Sequence, residues 1–325
     1  MTKETIIEFA DNDLAQLLFG EYNDHLSHLE KKLDVHISDR GNLLRISGET
    51  DATDKAQITL QSLYTRLQDK ELSNITQADI DAELRFLNTG KTTKKKTNKS
   101  KGEKNQTVIK TKNKTIVARS PSQATYLDLL QKHEMVFGLG PAGTGKTYLS
   151  VAAGVDMYLQ GKVERLIFCR PAVEAGENLG FLPGDMKEKI DPYLRPIYDA
   201  LHDMLPWDFL LKKMEAGEIE IAPLAFMRGR TLSHSFVILD EAQNATCAQM
   251  KMFLTRMGEA SHMVITGDAS QSDLPHNVRS GLDEAIDILK NVNDIGFMTF
   301  KNEDVIRHNL VRKIITAYDK YTSKK

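Results

Sequence analysis

The sequence predicts an α/β fold, a parallel sheet with helices on both faces, preceded by a small α+β domain. Three observations predict it. From about residue 116 onward, six apolar runs alternate with helical stretches, and several runs are continuously apolar, as strands covered on both sides must be. The first 90 residues have another rhythm, with amphipathic helices around two short alternating runs. Between these parts lies a stretch rich in lysine with almost nothing to bury.

The chain has 325 residues and 41% hydrophobic composition, enough for two domains with cores of their own. Boundaries are expected at 1–90, 91–115 and 116–325. No run of 18 or more apolar residues appears, and Met1–Asp11 lacks the pattern of a secretory signal, so a cytoplasmic protein with no membrane partner is expected. Cys169 and Cys247, the two cysteines, both sit in apolar or helical runs and read as buried free thiols.

Residues 1–90 hold 9 Lys and Arg against 17 Asp and Glu, a net of −8. Their pattern predicts helices at 12–19, 24–33 and 51–67, with strands at 35–38 and 43–47 joined by an Asp-Arg-Gly-Asn turn at 39–42. This order resembles a KH-like domain. Where a KH domain carries Gly-x-x-Gly to clamp nucleic-acid backbone, this chain has Gly20-Glu21-Tyr22-Asn23, without the second glycine and with an acid. Residues 91–114 carry ten lysines and one acid, a net of +9, and are expected to form a disordered basic linker through residue 115.

In the second part the expected strands are 135–139, 165–169, 219–222, 236–239, 263–266 and 296–299, with helices such as 146–159 and 185–204. The first strand runs into Gly140, Pro141, Ala142, Gly143, Thr144, Gly145, Lys146 and Thr147, which fit Gly-x-x-x-x-Gly-Lys-Ser/Thr. A strand leads in and a helix leads out. In that order the glycines let backbone N–H groups converge on phosphate, and the helix dipole adds positive charge at the same point. Lys146 is expected on the β and γ phosphates of ATP, and Thr147 on Mg²⁺. The strand at 236–239 then delivers Asp240 and Glu241, expected as Mg²⁺ ligand and as general base for the attacking water. After the strand at 263–266, Gln271 is a candidate reporter of the γ phosphate. Ser120 and Pro121 open a helix whose Gln123 is of the type that reads adenine, though a helix-capping role suits it as well.

Longer blocks carry a family resemblance. Arg170-Pro171-Ala172-Val173-Glu174-Ala175-Gly176-Glu177, Leu179-Gly180-Phe181-Leu182-Pro183-Gly184-Asp185, Asp240-Glu241-Ala242-Gln243-Asn244, and Thr266-Gly267-Asp268 with Gln271 and Asp273-Leu274-Pro275 together resemble the PhoH-like family of P-loop ATPases. The block at 304–311 is similar to that family's C-terminal motif, with Asn309 in place of proline, and Ser272 departs from an apolar position. The resemblance implies a RecA-like core similar to one half of a superfamily 1 helicase, working on ATP and Mg²⁺. Only 54 residues follow Gln271, too few for a second such half, so the opposite wall of the site is expected from another subunit of a ring-shaped homo-oligomer, a hexamer.

Phosphoryl transfer then calls for an arginine in trans, with Arg307 the leading candidate and Arg279 and Arg170 the alternatives. RNA is the partner that the helicase-like core and the basic linker imply. A regulatory ATPase that acts on a protein partner is the competing reading, favoured by the acidic first domain. The long insertion from Pro171 to Gly217 reads as a helical cap or an interface.

Overall fold

The structure, a computed structural model, describes residues 2–72, 74–88, 108–171, 186–275, 278–305 and 314, with backbone alone for 186–193. By packing, the chain forms two compact units: Met1–Val108 with Val117–Ala124, and Ile109–Ile116 with Thr125–Lys325.

The first unit runs β1 (Thr2–Glu8), α1 (Asn12–Phe19), α2 (Asp24–Leu33), β2 (His36–Arg40), β3 (Leu43–Glu49), α3 (Thr50–Gln68) and α4 (Gln77–Asn88). Its sheet is antiparallel in the order β1-β3-β2. Asp11 caps α1 by accepting from the N–H groups of Asp13 and Leu14, and Gly41 supplies the left-handed turn between β2 and β3. Leu18, Leu29, Leu44, Ile46 and Leu63 close the core, each fully buried. The strand β1 and the helix α4 have no counterpart in the sequence reading. Thr2–Glu8 mixes charge with two isoleucines, and only its pairing along the whole of β3 makes it a strand.

Next come β4 (Val108–Lys110) and β5 (Thr115–Val117), paired as a two-stranded ladder, and α5 (Pro121–Lys132). Residues 108–115 are thus ordered, which differs from the disordered linker expected through 115; residues 89–107 lie outside the described residues. The reason is local. Asn113 donates from its backbone and its side chain to the carbonyls of Met204 and His202 at a helix end, and Ile109 is buried.

The second unit holds β6 (Met135–Leu139), α6 (Lys146–Leu159), β7 (Arg165–Arg170), α7 (Met186–Met204), α8 (Trp207–Glu215), β8 (Ile219–Pro223), β9 (Ser235–Leu239), α9 (Cys247–Leu254), β10 (His262–Gly267), α10 (Gly281–Leu289) and β11 (Ile295–Thr299). All six expected strands form one parallel sheet, in the order β11-β6-β10-β9-β7-β8. Both faces are covered. Val237, Leu239, Met263 and Ile265 pack with Phe253 of α9 and Leu282 of α10. On the other face α6 approaches so closely that a Cβ on Gly154 would come 2.7 Å from the Phe236 ring. Of the cysteines, Cys169 is buried and Cys247 half-buried, and both are free thiols. Among the described residues no helix is long and apolar enough to cross a membrane.

Candidate active site at the carboxyl end of the parallel sheet

In a parallel sheet every strand ends on the same side, so residues that follow β6, β7, β9 and β10 converge. The loop after β6 is built for close approach. Gly140, Gly143 and Gly145 all have positive φ, and a Cβ on Gly140 would sit 2.4 Å from the Phe300 carbonyl oxygen. The Gly140 N–H donates to the Gly267 carbonyl at 3.1 Å, which ties the loop to the end of β10. Thr144, fully buried, donates to the Pro141 carbonyl at 3.0 Å. Helix α6 then starts from Gly145 with no side-chain cap, so its leading N–H groups point toward an anion site. Lys146 is buried along the loop, its ammonium donating to the carbonyls of Gly140 and Pro141 at 2.5 and 3.0 Å.

Asp240 and Thr147 meet across the sheet. The Thr147 hydroxyl donates to Asp240 Oδ1 at 2.7 Å, and the Thr266 hydroxyl donates to the same oxygen at 2.7 Å. Asp240 is buried; burial first, and the adjacent Glu241 charge second, push its carboxyl above the usual carboxylate range, while Arg170 and the two threonines pull the other way. Glu241 itself has a left-handed backbone, φ 53° and ψ 42°. Its Oε1 accepts from Arg170 Nη2 at 2.6 Å and its Oε2 from Gln243 Nε2 at 2.6 Å. Arg170 Nη2 also lies 3.7 Å from Asp240 Oδ2. The Gln243 side-chain Oε1 accepts from the Asp268 N–H at 3.0 Å, which joins this cluster to the end of β10.

An open cleft of about 730 Å³ is lined by Thr147, Arg170, Asp240 and Glu241 together with Asp199 and Asp203 of α7. Tyr148, the residue after Thr147, donates its hydroxyl to Asp203 at 2.6 Å. That gives α7, part of the long insertion, a place beside the phosphate loop.

The other candidates are placed variously. Gln271 is exposed, its N–H donating to the Asp268 carbonyl. Asp268 is buried, with one oxygen accepting from Ser270 and the other, Oδ2, without a hydrogen-bond partner among the described residues. Gln123 belongs to the first compact unit, where it is buried and its carbonyl oxygen accepts from the Arg119 N–H at 2.7 Å. Of the arginines, Arg279 pairs with Asp287 at 2.8 Å, Arg170 pairs with Glu241 of its own chain, and Arg307 lies outside the described residues. The sequence reading did not assign roles to Thr266 or Gln243. A lone threonine closing the apolar run of β10 was the available signal for the first, and Gln243 stands two residues past Glu241.

Comparison with known proteins agrees with this architecture. Residues 115–319 match the family described as PhoH-like protein. The chain is 47% identical over 309 residues to a PhoH-like protein of Bacillus subtilis (strain 168), covering 95% of each chain. It is 44% identical over 311 residues to a PhoH-like protein of Mycobacterium bovis, covering 95% of this chain and 86% of that one. Among solved structures, the crystal structure of Pif1 helicase from Candida albicans aligns with 56% of this chain and 39% of its own at 13% identity and a TM-score of 0.31, a likeness too distant to bear on function. A glycine-rich loop between strand and helix, an acidic strand end and a match across most of the chain lead to one statement: this protein belongs to the PhoH-like protein family.

Proposed function

We propose that this chain hydrolyses ATP with Mg²⁺ and couples the reaction to RNA. The observation that carries the ATPase reading is the 2.7 Å bond from Thr147 to Asp240, which sets a hydroxyl and a carboxylate from two distant segments beside the phosphate loop. Both are hard oxygen donors, the type that Mg²⁺ selects, so the residues present fit that ion. Bound there, it would neutralise charge on the β and γ phosphates. Lys146 would exchange its loop carbonyls for phosphate oxygens, and the loop N–H groups would hold the triphosphate in line. Glu241 would take the proton of a water whose oxygen bonds to the γ phosphorus. The bond from that phosphorus to the β–γ bridging oxygen breaks, and ADP leaves with its electron pair.

Several finer assignments belong to the same reading. Gln271 reports the γ phosphate from the exposed turn that follows β10, Gln123 reads adenine, and Arg307 completes a neighbour's site in a ring-shaped homo-oligomer. The first unit is KH-like, supported by its order of strand, two helices, two strands and two helices. In the turn that takes the place of Gly-x-x-Gly, Tyr22 has φ 52° and is fully exposed, which offers RNA a stacking face. The competing reading, a regulatory ATPase acting on a protein partner, draws on the net −8 of residues 1–90, a poor match to phosphate. Turnover of MgATP by the full chain with and without single-stranded RNA separates them, the RNA reading predicting stimulation that fades as salt rises. The Lys146→Ala variant should lose on the order of 100-fold in hydrolysis. Unchanged hydrolysis in that variant sinks the ATPase reading, an RNA-indifferent rate at low salt sinks the RNA coupling, and a monomer in sedimentation with MgATP sinks the ring.

A further inference from the structure

We infer that Arg170 is a positioning residue for hydrolysis, acting within its own chain by holding Glu241 in the orientation that activates water. The inference rests on the ATPase reading above and specifies how its general base is held. The topology creates the contact. Strands β7 and β9 are neighbours, with Cys169 opposite Leu239 and the Asp240 N–H donating to the Cys169 carbonyl, so Arg170 leaves its strand beside the two acids.

Glu241 needs such support for two reasons. Its backbone is left-handed, a conformation that a residue with a side chain adopts only when its surroundings enforce it. Its side chain is also 40% exposed, and an unheld glutamate there would sample many rotamers. Instead both carboxylate oxygens are occupied at 2.6 Å, one by Arg170 Nη2 and the other by Gln243 Nε2. Gln243 is buried, and its own carbonyl is taken by the Asp268 N–H, so the amide cannot turn freely. The clamp orients without blocking. A carboxylate has about four lone-pair sites, and two donors leave room for a water to donate its proton. Arg170 Nη2 lies 3.7 Å from Asp240 Oδ2 as well, so one cation offsets the repulsion between adjacent acids.

The test is a double-mutant cycle in the full chain, read by single-turnover hydrolysis of MgATP and by MgATP affinity. Arg170→Ala should slow hydrolysis by about 10- to 100-fold, the range of a misplaced general base, with affinity changed less than about twofold. Arg170→Lys, which keeps the charge without the fork, should recover part of the rate. In the Glu241→Gln background, Arg170→Ala should cost nothing further, because its partner's function is already gone. The same fractional loss in that background overturns the inference, and so does a faster Arg170→Ala enzyme, which would make the pair a brake. If Arg170→Ala fails to fold, the cycle runs with Arg170→Lys, and additive losses there overturn it equally. A wild-type chain without MgATP hydrolysis overturns the ATPase reading and this inference together, whereas an active wild type with additive variants overturns only the role of Arg170.

Discussion

Strands β1 and β9 carry charge in different places. Along β1 exposed positions alternate with half-buried or buried ones; Lys3, on the half-buried face, pairs with Asp54 of α3, and Glu4, on the exposed face, pairs with Arg45 at 3.1 Å. In β9 all five residues are buried, and charge begins only where the chain leaves the sheet, at Asp240. A sheet with a wet face tolerates charge at little cost, and an exposed pair such as Glu4 and Arg45 stabilises by less than about 1 kcal/mol. A sheet covered on both faces admits an ion only at a strand end and only with partners. A single charge on an exposed strand of the first unit is therefore cheap, whereas a charge at the carboxyl end of the parallel sheet needs partners to hold it.

Core truncation tests how separate these regions are and should have the largest effect. Phe236→Ala, which opens a void between β9 and α6, should cost about 3–5 kcal/mol in the unfolding of the second unit. Leu44→Ala, in the first core, should cost about 2–5 kcal/mol in the first unit and leave MgATP binding intact. Denaturant unfolding followed with a nucleotide-binding readout checks both, and loss of binding in Leu44→Ala would break the separation.

Asp240→Asn should act next. Burial and the neighbouring Glu241 disfavour the ionised form of Asp240, so its negative charge is a cost to the fold near neutral pH. Removing that charge while keeping an oxygen for Thr147 and Thr266 should stabilise the second unit by about 1–2 kcal/mol and abolish hydrolysis. A lowered Tm would mean that Arg170 already offsets the charge in full.

The smallest effect is expected in the first unit. Burial of Asp81 opposes its ionisation, but hydrogen bonds from His28 and Lys32 outweigh it and hold the carboxyl below its ordinary 3.8. A depressed acid stabilises above the unfolded value and loses that contribution as pH falls through the folded one. Asp81→Asn should therefore lower stability by less than about 1 kcal/mol at pH 7 and remove that part of the acid sensitivity below about pH 4. An unchanged acid limb in the variant's pH–stability curve would refute it.

The glycine-rich loop, the two acids at a strand end and all six parallel strands were legible in the sequence because each is a local pattern. Three glycines before a lysine, an unbroken apolar run, and two carboxylates at its end keep their meaning without knowing what lies beside them. Helices α1 and α2 span the ranges read from the sequence, 12–19 and 24–33. Arg170 shows the limit. The sequence marks it as a charge at a strand end, equally suited to a partner in another subunit, and only the order β9-β7 brings it to Glu241, 71 residues away. Thr266 reaches Asp240 in the same way, through the pairing of β10 with β9. Likewise β1 is a strand because β3 accepts it, and Asn113 is ordered because the end of α7 offers two carbonyls. Sequence alone determined the glycine-rich loop, the acids at the strand end and the fold class, whose causes are backbone freedom and hydrophobic periodicity. Tertiary structure decided which charges meet, since a pair held across neighbouring strands owes its energy to burial and geometry that no window of the chain contains.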